Sequence, residues 1–117
     1  MIGVAHRFHG YNSLRSVYKR GQNVRGPLVS LRFALRGPTR PYRVAVVVSR
    51  KVSKSAVVRN RIRRRIYEVV RQSDQADHPI DPGTDLVFTV FSDQVTELPA
   101  PKLQTLISGL FNSLRKD

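Results

Sequence analysis

"YRVAVVVSRKVSKSAVVRNRIRRRIYEVVR", residues 42–71, changes its hydrophobic period half-way along. Residues 42–49 are a run of β-branched residues, apolar on both faces from Val44 to Val48, a pattern that suits a central strand. After Ser55 the apolar residues recur at helical spacing instead. At about 100° per residue, Val58, Ile62, Ile66, Val69 and Val70 gather on one stripe. The spacing predicts a helix over roughly 56–72, capped by Ser53 or Ser55. Asn60, Arg64 and Arg71 point away from the stripe, with Arg61 beside them. Arg59 and Arg63 lie along one border of the stripe and Arg65 along the other. Residues 51–71 carry eight Lys or Arg and a single acid, Glu68. Like charges this close weaken an isolated helix. The helix therefore docks by a modest apolar stripe and displays cations around the rest.

The flanking segments supply the other layers. "LVSLRFAL", 28–35, alternates as a strand, with Val29, Leu31, Phe33 and Leu35 on a core face. Leu28, Ser30, Arg32 and Ala34 share the other face, which reads as a mixed surface carrying one cation. "DLVFTVF", 85–91, is a second strand apolar on both faces. The helix that closes the chain starts near Pro101, a favoured first-turn residue. Its Leu103, Leu106, Ile107, Leu110, Phe111 and Leu114 form a core-packing face. Ahead of these, residues 1–11 read as a basic arm. A short helix over "SLRSVYKRG" is capped by Asn12 or Ser13 and closed by Gly21. The order α, β, β, α, β, α, with a further short strand near Val24, predicts an α+β sandwich: helices covering one side of a small sheet. A length of 117 residues suggests one domain, 1–117, with one core.

The net charge of +13 is unevenly placed. Residues 1–73 carry 18 Lys or Arg and one acid, a balance of +17; residues 74–117 carry 3 and 7, a balance of −4. A polyanion bound to the first part accounts for this segregation. Arginine dominates the helix, and its planar fork pairs two phosphate oxygens and stacks on bases. Asn60 can bond a base edge, a 2′-hydroxyl or the local backbone. There is no cysteine, which excludes disulfides and thiolate metal sites. No apolar run approaches the roughly 20 residues of a membrane span. The start, "MIGVAHRFHG", lacks a secretory h-region. These features predict a cytoplasmic protein that binds no membrane.

Catalytic constellations are missing from the sequence. Asp77, Asp81 and Asp85 recur at four-residue spacing, but inside a Pro/Gly segment that reads as a solvated loop. His6 and His9 lack a third ligand for zinc. No Gly-rich phosphate loop or nucleophile elbow is present.

One stretch is specific enough to carry a family. "RVAVVVSRKVSKSAVVRNRIRRRIYEVVR", 43–71, closely resembles the signature of the bacterial ribonuclease P protein component. That family has a strand ending in Ser-Lys-Lys, a short linker and then Arg-Asn-Arg-Ile-Lys-Arg on a helix. The matching residues here are Ser49-Arg50-Lys51 and Arg59-Asn60-Arg61-Ile62-Arg63-Arg64. Weaker similarities extend over almost the whole chain. Arg50 replaces the more usual Lys, Ser53 stands where many members have Gly, and Leu14 and Arg32 stand at positions often aromatic.

The resemblance implies a protein subunit that is itself non-catalytic. The catalyst would be an RNA with bound Mg2+, held mainly by that RNA, which removes the 5′ leader of precursor tRNA by hydrolysing one phosphodiester bond. It also implies a left-handed β-α-β crossover, in a fold like the second domain of a small-subunit ribosomal protein. The implied partners are the ribonuclease P RNA and precursor tRNA, with no protein partner evident. The implied RNA-binding residues are Arg50, Lys51, Lys54, Arg59, Asn60, Arg61, Arg63, Arg64, Arg65 and Arg71. Leu14, Tyr18, Ser30 and Arg32 would line a groove for the leader, although Tyr18 also suits a core position on the face of Leu14. The rival reading is a basic ribosomal RNA-binding protein, which needs no groove beside the sheet.

Overall fold

The computed structural model describes residues 21–35, 42–75 and 84–115. Four strands form one sheet: β1 (Gln22–Arg25), β2 (Val29–Leu35), β3 (Arg43–Val47) and β4 (Thr84–Val90). Two helices, α1 (Ala56–Gln75) and α2 (Ala100–Arg115), accompany them, and a 3₁₀ turn (Asp93–Thr96) joins β4 to α2. The sheet order is β1-β2-β4-β3. The β1–β2 and β2–β4 pairs are antiparallel and β3–β4 is parallel. Adjacent parallel strands need a crossover, and α1 supplies it. The result is an α+β fold with a mixed, mostly antiparallel sheet. The expected first helix, with Leu14 and Tyr18, and the basic arm lie outside the described residues.

Local chemistry explains the element ends. Gly26 and Pro27 turn the chain between β1 and β2, with Gly26 N donating to Val29 O at 3.1 Å. A Cβ at Gly26 would meet Val29 O at 2.5 Å, so the turn needs the missing side chain. Ser55 is the cap of α1: its Oγ accepts from Val58 N at 3.3 Å and its carbonyl from Arg59 N at 3.0 Å. Ser53 acts one step earlier, its Oγ accepting from Ser55 N at 3.2 Å. The helix then runs to Gln75, three residues past the expected end. At α2 the Pro99 carbonyl accepts from Lys102 N and Leu103 N, both at 3.0 Å, which puts Pro101 inside the first turn.

The core lies between one sheet face and both helices. Val29, Leu31, Val44, Val46, Leu86, Phe88 and Val90 meet Ile62, Ile66, Val69 and Val70 of α1 and Leu103, Ile107, Leu110 and Phe111 of α2. The helical stripe read from the sequence is thus the docking face, with Val58 at its half-buried edge. Phe88 and Phe111 meet edge to face, 6.0 Å between centroids. The 3₁₀ turn adds Val95, also fully buried.

The opposite sheet face corrects one expectation. It is not a mixed surface along β2: Ala34, Ala45 and Val87 form a second buried cluster, and Ser30 is buried as well. Asp85 also departs from its reading as a solvated loop residue. It is the register partner of both Ala34 and Arg43, and it is 1% exposed. Arg43 Nε donates to its Oδ1 at 3.0 Å and Nη2 to its Oδ2 at 2.9 Å. The bidentate pair stabilises a carboxylate that burial alone would neutralise, and the hydrogen bond to Asp85 raises the pKa of Arg43.

Candidate nucleic-acid interface

The outer face of α1 sorts its arginines into two kinds. Arg61 and Arg64 are exposed and make no hydrogen bond or ion pair among the described residues. The border arginines are half-buried and occupied. Arg59 donates through Nη1 to Ser53 O at 2.9 Å, tying the helix to its own capping loop. Arg63 donates to Asn60 Oδ1 at 2.8 Å and, more weakly, to Val48 O at 3.4 Å. Asn60 is exposed, and its side-chain oxygen serves Arg63. Arg71 pairs with Glu68 one turn back; this pair raises the Arg71 pKa and lowers that of Glu68. The one acid among the helix cations is thereby spent on Arg71 and leaves Arg61 and Arg64 uncompensated.

Arg65, also expected to bind RNA, is engaged inside the chain. Its guanidinium crosses to the 3₁₀ turn and donates to the carbonyls of Val95 and Leu98, and to that of Thr96 at 2.9 Å. These acceptors lie 30 to 33 residues away in sequence. Three of the five guanidinium donors are thereby taken up inside the chain, and Arg65 clamps α1 to the segment before α2. Its place on the border of the stripe is what brings it within reach.

A second group of cations sits where α1 begins. Arg50, Lys51 and Lys54 are exposed, and with Ala56 and Arg59 they line a hollow of about 620 Å³. Val52 N donates to Ser49 O at 3.1 Å, which folds this loop back on the end of β3. No acid occupies the first turn of α1. Cations at a helix N-terminus oppose the macrodipole, and an anion there satisfies both.

The sequence that builds this helix and its cationic loop matches a known family. The model of the family described as Ribonuclease P aligns with residues 4–115. The ribonuclease P protein component of a Pseudanabaena species is 33% identical over 116 residues, spanning 99% of this chain and 94% of its own. The chain belongs to the bacterial ribonuclease P protein family. The family member of Gluconacetobacter diazotrophicus is 39% identical over 88 residues, 75% of this chain and 73% of its own. The solved RNase P protein of Staphylococcus aureus superposes with a TM-score of 0.77, covering 94% of this chain and 95% of its own at 18% identity. That of Thermotoga maritima gives 0.75, covering 90% and 94% at 20% identity. At such identities these two structures speak for the fold alone. As a ribonuclease P protein the chain is a component of the holoenzyme, has the ribonuclease P RNA as its partner and serves the processing of the tRNA 5′ leader.

The structure distributes the remaining expected site residues unevenly. Arg50, Lys51, Lys54, Asn60, Arg61 and Arg64 are each exposed, on the loop or on α1, whereas Ser30 is buried and Arg32 half-buried on the far sheet face. Leu14 and Tyr18 lie outside the described residues. Among the described residues no group of three or more His, Cys, Asp or Glu could hold a metal ion. No described helix is long and apolar enough to cross a membrane.

Sequence reasoning missed a groove of about 520 Å³ where α1 meets the first turn of α2, with Arg61 and Arg64 on one wall and Ala100 and Gln104 on the other. It joins two segments separated by the whole of β4 and the 3₁₀ turn, and exposed glutamines carry no spacing signal that marks such a site.

Proposed function

We propose that the loop cations and the free arginines of α1 grip phosphates of the ribonuclease P RNA, and that the protein thereby assists an RNA-catalysed hydrolysis without supplying a catalytic group. The observation that carries this reading is the pair Arg61 and Arg64: exposed, without partners among the described residues, and on a helix whose nearest acid is taken by Arg71. Their mutual repulsion is relieved only when phosphates are present, and arginine forks suit phosphate oxygens. Magnesium belongs with the RNA in this reading, and precursor tRNA is the second partner. Its single-stranded leader would run past Tyr18, Leu14 and the Ser30–Arg32 side of β2. The whole chain acts as one RNA-binding domain in the cytoplasm.

Reconstitution with the RNA subunit and precursor tRNA tests it. With about five phosphate contacts, the log–log slope of RNA affinity against salt is roughly −3 to −5. Arg61→Ala and Arg64→Ala each weaken RNA binding by about 1–2 kcal/mol, while thermal stability holds. A slope near zero in the parent protein would sink the reading. For the leader, Tyr18→Ala and Arg32→Ala slow cleavage of long-leader precursors and spare those with a one-nucleotide leader; equal losses on both would remove the leader groove.

A further inference from the structure

The groove between α1 and α2 has a chemistry that phosphate binding alone does not use. Its cationic wall is Arg61 and Arg64, both without a partner among the described residues. Its floor is apolar, with Val69 of α1 and Leu103 of α2 both buried. Uncharged polar groups come from Gln72 on α1 and Gln104 on α2, both exposed, and each amide offers two donors and an acceptor. Glu68 also lines the groove, but its carboxylate is paired with Arg71. Cations on α1, an apolar floor and an amide on each helix form a graded site. A volume of about 520 Å³ lies within the usual range of roughly 300–1,000 Å³ for pockets that take a small organic group. A flat phosphate-binding face would have neither the depth nor the amides.

The geometry is also held in place. Arg65 lines the same groove, and its clamp on the carbonyls of Val95, Thr96 and Leu98 ties α1 to the segment that leads into α2. Two walls fixed by such a clamp keep their separation, and a preformed slot costs less to fill than one that must open.

We infer that this groove receives one unpaired nucleotide of the ribonuclease P RNA, its base lying on Val69 and Leu103, its edge read by Gln72 and Gln104, and its phosphate held by Arg61 and Arg64. Charge complementarity selects the occupant. The walls bring two uncompensated positive charges to an apolar slot, and an unstacked nucleotide joins an anion to a flat apolar ring. Unpaired bases are also the part of an RNA that exposes both its faces and its hydrogen-bonding edges to a protein. The inference rests on the reading of α1 as the RNA-binding helix and adds a base-binding site to it.

The test uses the full chain with the intact RNA subunit. Ala100→Leu/Gln104→Leu narrows the groove and removes one amide at two exposed positions that hold no phosphate. Gln72→Leu serves as a second, independent variant. The groove variants raise the dissociation constant about tenfold, in line with the loss of one stacked base. The slope of affinity against salt and the melting temperature stay at the parent values, because the phosphate contacts and the core are intact. Base-specific chemical probing then shows an unpaired nucleotide of the RNA protected by the parent protein and reactive with the variants. Parent-like affinity in both variants, or no nucleotide whose protection depends on them, overturns the inference. Arg61→Ala/Arg64→Ala separates the two levels. If that variant binds RNA as the parent does, the RNA-binding reading of α1 fails; if it alone weakens binding, only the base site does.

Discussion

Replacing Arg65 by alanine removes a guanidinium that holds three backbone carbonyls of the segment between β4 and α2. Hydrogen bonds to a charged group contribute about 1.5–3 kcal/mol each when buried. The discount here is large: Arg65 is only half-buried, and water can reach part of what it leaves. A total of about 2 kcal/mol is the reasonable figure for all three together. For a chain of this length each kcal/mol moves the melting temperature by about 4 °C, so Arg65→Ala melts about 8 °C below the parent. Arg65→Lys recovers part of this, since one ammonium has three donors but cannot span the carbonyls as a planar fork does. The control is Arg64→Ala, one position earlier in the helix, exposed and without a partner among the described residues. It leaves the melting temperature unchanged or slightly raised, since like-charge repulsion falls, and it weakens RNA binding instead. Thermal unfolding followed by circular dichroism, paired with RNA titration of the same samples, reads both quantities. If Arg65→Ala keeps the parent melting temperature and loses RNA affinity as Arg64→Ala does, Arg65 is an RNA ligand and the clamp argument is wrong.

Ile62→Ala, at a fully buried position flanked by Arg61 and Arg63, loses about 2–5 kcal/mol in denaturant unfolding; a loss below 1 kcal/mol would mean that α1 is not docked by this stripe. Asp85→Asn leaves Arg43 without its bidentate partner on the adjacent strand and costs about 2 kcal/mol or more, a loss that double-mutant analysis with Arg43→Met returns in part. Gly109→Ala in α2 gains about 0.5–1 kcal/mol, because a Cβ there meets no atom within 4 Å and glycine is a poor residue in a helix interior; unchanged unfolding would place the end of α2 in a frayed state.

Local periodicity settled a good deal of this protein in advance. The β-branched run before Ser49 and the 3.6-residue spacing after Ser55 define β3 and α1 without any partner, because side-chain direction depends only on backbone geometry. The stripe of Ile62, Ile66, Val69 and Val70 is buried as expected, and the face carrying Asn60, Arg61 and Arg64 is exposed. The concentration of positive charge pointed to a polyanion, and the Arg-Asn-Arg stretch to one family. Tertiary structure alone decided which arginines are free. Helical spacing puts Arg65 on a border of the stripe and Arg61 and Arg64 on the outer side, but it does not say what Arg65 reaches there. What distinguishes Arg65 is a set of backbone carbonyls 30 or more residues away, and carbonyls are the same on every residue and leave no mark in a sequence. The same holds for Asp85, whose neighbours in the chain suggested a solvated loop. Its burial follows from a parallel register that places Arg43 beside it, 42 residues earlier, and such a register exists only once α1 has carried the chain across.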